Sequence, residues 1–163
     1  MEFKKMVMVG MADLNVSKHP GAITTLGLGS CVGISLYDPL SKVAGMAHCM
    51  LPDSKQIQNN ANIAKFVDTA TVKLINDMVA LGANRRMIVA KLAGGAQMFA
   101  FDSKNENMRI GDRNIIASRA ILSQLGIRIL AEDVGNSYGR TIELYTEDGR
   151  LVIKTIGRGL KTI

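Results

Sequence analysis

Residues 22–50 read AITTLGLGSCVGISLYDPLSKVAGMAHCM, and the order of apolar runs and turn signals in this stretch decides the fold class. Ala22 to Leu26 is rich in β-branched residues and predicts a strand. It runs into the glycine-rich Gly27-Leu28-Gly29-Ser30-Cys31. Val32 to Tyr37 predicts a second strand, stopped by Asp38-Pro39. Val43 to Met50 predicts a third, stopped by Pro52. Consecutive strands separated by so short a turn pair as antiparallel neighbours.

Working outward, Lys5 to Val9 predicts an N-terminal strand, and His19-Pro20-Gly21 marks a turn at the end of the stretch from Asp13. Downstream, Ile63, Phe66, Val67, Ala70, Leu74, Met78 and Leu81 recur at helical spacing and predict a helix over 62–81. Asn62 can cap its start, and Gly82 stands where a helix-ending glycine would. Met87 to Leu92 predicts a buried strand ending in Gly94-Gly95. A second helix is expected over 112–125, followed by Gly126, and then a strand over 127–131. The C-terminal part predicts a hairpin with Asp148-Gly149 as a two-residue turn. In that register Leu144 faces Ile153, Tyr145 faces Val152 and Glu143 faces Lys154. Ile142, Leu144, Leu151 and Ile153 then share a core face. The whole reads as α+β, many strands with two long helices packed on them. The chain has 163 residues and is expected to form one domain, 1–163.

Apolar residues make up 47% and charged residues 21%, an ordinary globular composition. Aromatics are 4% and Trp is absent, so the core falls to aliphatic residues and ten Met. The formal net charge is +6, which favours acidic partners. Basic residues adjoin only as Lys4-Lys5 and Arg85-Arg86, few aromatics are available to stack bases, and no nucleic-acid module is recognised. An acidic protein partner therefore fits at least as well as nucleic acid. No stretch approaches a membrane span, and no export signal is evident. The expected compartment is the cytoplasm, with both cysteines, Cys31 and Cys49, reduced.

Cysteine catalysis needs a thiolate, an imidazole to move its proton, and backbone donors for an oxyanion. Cys31 ends a glycine loop, where Gly29 and Ser30 can bend the chain and bring N–H groups close to a ligand. His48 is one of two histidines and lies on the strand after the Asp38-Pro39 turn. Antiparallel neighbours can set Cys31 and His48 side by side on one face. An ion pair between them would lower the Cys31 pKa. A hydroxyl or carbonyl at Thr24 or Thr25 can orient the imidazole. The plainer readings are a small buried cysteine, a core histidine and threonines serving β-propensity. Cys49, next to His48, points to the opposite face and reads as core. His19 reads as a surface turn residue. A zinc site would lack a Cys-x-x-Cys pair, so no metal and no cofactor is called for.

Thr25-Leu26-Gly27-Leu28-Gly29-Ser30-Cys31-Val32-Gly33 followed by Ala47-His48-Cys49-Met50-Leu51-Pro52-Asp53 resembles the signature of the CheD chemoreceptor glutamine deamidases. Ala93-Gly94-Gly95-Ala96 with Met98-Phe99, Ile110-Gly111 with Asn114, and Leu130-Ala131-Glu132-Asp133 with Gly135 fit too. The resemblance implies a Cys–His–Thr triad of Cys31, His48 and Thr25. It implies a layered α/β sandwich of mixed sheet, related to the catalytic domain of the cytotoxic necrotizing factor deamidases. It also implies methyl-accepting chemotaxis receptors as substrates and the phosphatase CheC as a regulator, with the protein a monomer or a heterodimer with CheC and no membrane insertion. An alternative is a non-catalytic binding module that chiefly regulates CheC. Phe99 and the polar loop after it are candidates for partner contact, or else a core anchor and a plain loop.

Overall fold

The structure, a computed structural model, describes residues 5–98 and 109–163. Phe99 and the polar loop after it, to which a partner contact was ascribed, lie outside the described residues. In chain order the elements are β1 (Lys5–Val9), β2 (Asp13–Lys18), β3 (Gly21–Leu28), β4 (Val32–Asp38), β5 (Val43–Cys49), α1 (Val67–Ala80), β6 (Val89–Gly94), α2 (Ile110–Gln124), β7 (Ile129–Val134), β8 (Arg140–Tyr145), β9 (Leu151–Thr155) and β10 (Gly159–Thr162). The α+β expectation is borne out, with two mixed five-stranded sheets. Sheet one runs β1-β3-β8-β9-β10 and sheet two runs β2-β5-β4-β6-β7. The parallel pairs are β1 with β3 and β6 with β7.

Three layers follow from the side-chain alternation of β4 and β5. Val32, Ile34, Leu36, Val43, Ala47 and Cys49 face α1 and α2 and form an aliphatic core with Ala70, Leu74, Met78 and Leu122. The intervening residues face sheet one, where Cys31, Tyr37, Ala44 and Met46 pack with Val9, Ile23, Leu28, Ile142, Leu144, Leu151 and Ile153. Sheet two is thus covered on both faces, which is why β4 and β5 are largely apolar and buried at every position.

The differences from expectation have specific causes. Residues 13–18, read as leading into a turn, form edge strand β2 against β5, with Asp13 opposite His48. The α1 helix begins at Val67, later than expected. Asn62 instead caps a 3₁₀ turn over Ile63–Lys65, its side chain accepting from the Ala64 N–H at 3.1 Å. Phe66 is then extended and bridges to Leu51, which breaks the helix before it starts. Ile63 consequently leaves the apolar stripe and is exposed. Gly82 and Gly126 do follow the two helices with positive φ.

The C-terminal hairpin is shifted by two residues from the expected register. Ile142 faces Ile153, Glu143 faces Val152 and Leu144 faces Leu151. Tyr145 N–H bonds Arg150 O, leaving Thr146 to Gly149 as a four-residue loop in place of the two-residue turn. The buried Thr146 hydroxyl is the reason. It bonds both the N–H and the carbonyl of Gly21, so Thr146 is committed to β3 and cannot continue the ladder. A shift of two keeps every side chain on its expected face. The Glu143–Lys154 ion pair therefore survives as a diagonal at 2.9 Å.

Candidate active site

The site lies where β3 of sheet one crosses the β4–β5 pair of sheet two. His48 on β5 is directly opposite Gly33 on β4, and Val32 is opposite Cys49. Continuing that register past the strand sets Cys31 across from Met50, so Cys31 and His48 are diagonal neighbours on one face. Cys31 packs in the core between the sheets while Cys49 packs under the helices, as their alternation requires. Gly33 lets the two sheets approach closely beside His48. A Cβ there would come within 2.7 Å of Ile142 Cδ1 and 3.0 Å of Leu28 Cδ1, both from sheet one.

The imidazole is held by Thr25, across the gap between the sheets. His48 Nδ1 lies 2.7 Å from Thr25 Oγ1, and the same hydroxyl donates to the Val9 carbonyl at 2.7 Å. A hydroxyl has one proton, and a carbonyl can only accept. The Thr25 proton is therefore spent on Val9, and Nδ1 must be the donor to Oγ1. This network assigns the Nδ1–H tautomer and leaves the lone pair on Nε2. Nε2 is buried and makes no hydrogen bond among the described residues. Thr24, the other candidate orienter, instead turns its hydroxyl to the Ile142 carbonyl at 2.9 Å.

Burial acts on both partners in the same sense, toward neutrality. It pushes the Cys31 thiol up, opposed by the thiol's own backbone N–H, and pushes the His48 imidazole down. Both shifts favour the neutral forms, which is opposite in direction to the lowered Cys31 pKa expected from the sequence. Cys49 is fully buried, its thiol pushed far up by desolvation.

The glycine loop is pinned by its carbonyls. Ala96 N–H donates to Gly29 O at 2.9 Å and Gly95 N–H to Cys31 O at 2.8 Å. Asn114 Nδ2 donates to Ser30 O at 3.0 Å and also to Met50 O at 3.0 Å. Gly94 carries φ +102, and a Cβ on it would strike the Cys31 carbonyl, so only glycine lets β6 pass here. With the carbonyls of Gly29, Ser30 and Cys31 all engaged on one side, the N–H groups of Ser30 and Cys31 are left without a bond to another residue among the described ones.

Sequence reasoning thus placed Cys31, His48 and Thr25 together, and Gly29 and Ser30 beside them. It assigned no role to Asn114, to Gly95 and Ala96, or to Arg140. Arg140 is buried and donates to the Gly135 carbonyl at 3.1 Å, beside the end of β6. A large amide on the buried face of α2, between Gly111 and Ile115, was the available signal for Asn114. His19, read as a surface residue, is half-buried, with Nδ1 3.1 Å from Thr146 Oγ1.

A family model described as CheD chemotactic sensory transduction matches residues 50–155. Similarity extends beyond that segment. The chain is 57% identical over 159 residues to the probable chemoreceptor glutamine deamidase CheD of Caldanaerobacter subterraneus subsp. tengcongensis, covering 98% of each chain. The chain belongs to the CheD family. The chemoreceptor glutamine deamidase CheD of Halalkalibacterium halodurans is 56% identical over 158 residues, covering 96% of this chain and 98% of the relative. These CheD relatives therefore also span Thr25, Gly29, Ser30, Cys31 and His48, which precede the segment matched by the family model. Among solved structures, a Neisseria meningitidis protein of family DUF152 superposes with a TM-score of 0.50 at 12% identity, over 90% of this chain and 71% of that one. That likeness concerns the fold alone.

Proposed function

We propose that this CheD-family chain deamidates glutamine side chains of methyl-accepting chemotaxis receptors to glutamate, with Cys31 as nucleophile, His48 as general base and acid, and Thr25 as the residue that orients the imidazole. The observation that carries the reading is the Thr25 relay. Its only proton goes to Val9, so His48 Nδ1–H points at Thr25 and the Nε2 lone pair is left unpartnered, on the residue diagonal to Cys31 in the β4–β5 register.

The chemistry follows from that tautomer. As the substrate carboxamide enters, Nε2 takes the Sγ proton while Sγ bonds to the carbonyl carbon. The Ser30 and Cys31 N–H groups meet the oxyanion. The tetrahedral species collapses, the C–N bond breaks, and the proton on Nε2 leaves with ammonia. Nε2 then takes a proton from water as its oxygen attacks the thioester. The C–S bond breaks, glutamate departs and the thiol is restored. A neutral starting pair suits this cycle, because charge separates only once the substrate has displaced water.

The surface around the loop suits a protein substrate. Met98 lies 3.4 Å from where a Cβ on Gly29 would sit, and it is half exposed. Leu26, extruded at the irregularity between Thr25 and Leu28 in the β3–β8 ladder, is exposed as well. We propose CheC as a second partner, on the strength of the family resemblance, and the cytoplasm as the compartment. No helix among the described residues is long and apolar enough to cross a membrane.

The test is ammonia release from purified receptor, with peptide mass spectrometry to find each glutamine converted to glutamate. Cys31→Ala is expected to abolish both signals while keeping the native circular dichroism spectrum. A Cys31→Ala protein that deamidates at the wild-type rate ends this reading. If the same variant still binds CheC and still alters its activity, the two functions are separable.

A further inference from the structure

Asn114 sits on α2 with no exposed surface, and its bonds are one-sided. Nδ2 donates twice, to Ser30 O and Met50 O, while Oδ1 is buried with no partner among the described residues. Both partners are carbonyls, so only the donor edge of the amide can face them. A stranded acceptor is a cost that an apolar residue at the same position would not carry. Packing alone does not account for the choice, whereas a demand for two donors does.

The Ser30 bond has a consequence for the neighbouring atom. The Ser30–Cys31 peptide is trans, so its C=O and N–H point in opposite directions within one plane. Asn114 holds the oxygen toward α2. The Cys31 N–H must then point away from α2, toward the core between the sheets where the Cys31 side chain lies. The flanking carbonyls of Gly29 and Cys31 are held by main-chain N–H groups of Ala96 and Gly95. The middle one depends on a side chain. Released, this peptide can rotate, and a flipped plane would aim a carbonyl at the developing oxyanion. The second bond ties the same amide to Met50, two residues beyond His48, so one side chain spans the nucleophile loop and the strand of the base.

We propose that Asn114 is a positioning residue of the reaction, its amide fixing the Ser30–Cys31 peptide plane so that the Cys31 N–H faces the reacting carbonyl. This rests on the reading of Cys31 as nucleophile. The experiment takes full-length Asn114→Leu and Asn114→Asp through the ammonia assay on receptor, with Cys31→Ala alongside. Iodoacetamide alkylation of Cys31 is followed against pH in the two Asn114 variants and the wild type. The expected result is a folded variant whose kcat falls on the order of 10²–10³-fold, the effect of losing one oxyanion donor. KM should stay within about twofold, since the interaction acts in the transition state. The alkylation midpoint should rise, because the thiolate loses its N–H. A folded variant that keeps kcat within about threefold of wild type, or raises KM alone, overturns the proposal. Failure of both variants to fold overturns it too, by making the residue structural. An inactive Cys31→Ala beside a fully active Asn114→Leu sinks the positioning role alone, whereas an active Cys31→Ala sinks the reading beneath it.

Discussion

On the helix side of sheet two, β4 and β5 present Val32, Ile34, Leu36, Val43, Ala47 and Cys49, sealed by α1 and α2. On the other side the same strands present Gly33, Ser35, Tyr37, Ala44, Met46 and His48 toward sheet one. The first layer is a core of hydrocarbon and one inert thiol. The second mixes apolar contacts with Thr25, Ser35 and His48, all buried. Two cysteines in one sheet therefore have different chemistry, because they lie on opposite faces. Cys49 is wholly enclosed, whereas Cys31 keeps 8% of its surface and lies diagonal to His48 in the strand register. The two thiols differ in the layer they face, and Cys31 stands at the end of the glycine loop while Cys49 lies within β5.

That contrast can be broken by substitution. The largest effect is expected at His48→Ala, which should lower kcat by about 10²–10⁴-fold, the range for a lost general base. Because base and nucleophile act as a unit, Cys31→Ala combined with His48→Ala should be no slower than Cys31→Ala alone. Additive losses in steady-state kinetics would show the two residues acting separately. Thr25→Val keeps the shape and removes the acceptor for Nδ1–H. It should cost about 10–100-fold, as losing the partner that orients a metal-bound imidazole does. Full activity would remove Thr25 from the site.

The opposite layer should respond in the opposite way. Cys49→Ser puts a hydroxyl into the apolar helix-side core and should destabilise the fold by about 1–3 kcal/mol in chemical denaturation. Its kcat per folded molecule should match wild type. A loss of kcat without loss of stability would mean that the two layers are not independent. The smallest effect is expected in the pH profile. The working form has a neutral imidazole and a protonated thiol. His48 is shifted down from 6.5, so the acid limb of kcat/KM should fall below that value. Cys31 is shifted up from 9.0, so the alkaline limb should fall above it. Between them activity should be nearly flat. Rapid alkylation of Cys31 on the acid side of this plateau would reveal a resting thiolate and contradict the neutral pair.

Much of this was legible in the chain. Period-two alternation put His48 and Cys49 on opposite faces, and the order of strands around Gly27–Cys31 placed Cys31 and His48 on adjacent strands. What eluded sequence reading depends on contacts distant in sequence. Thr146 sets the register of the β8–β9 hairpin through Gly21, 125 residues away. Phe66 delays α1 through its bridge to Leu51. Asn114 reaches the Ser30 carbonyl across 84 positions. No local window contains both ends of such a bond.

The sequence by itself determined the alternation of faces, the glycine loop before Cys31 and the apolar face of each helix, because these depend on side-chain type and spacing along one strand or helix. Only the tertiary structure decided the tautomer and the direction in which burial shifts both groups. Both arise between layers, where burial disfavours ions and where the single proton of Thr25 is already committed to Val9.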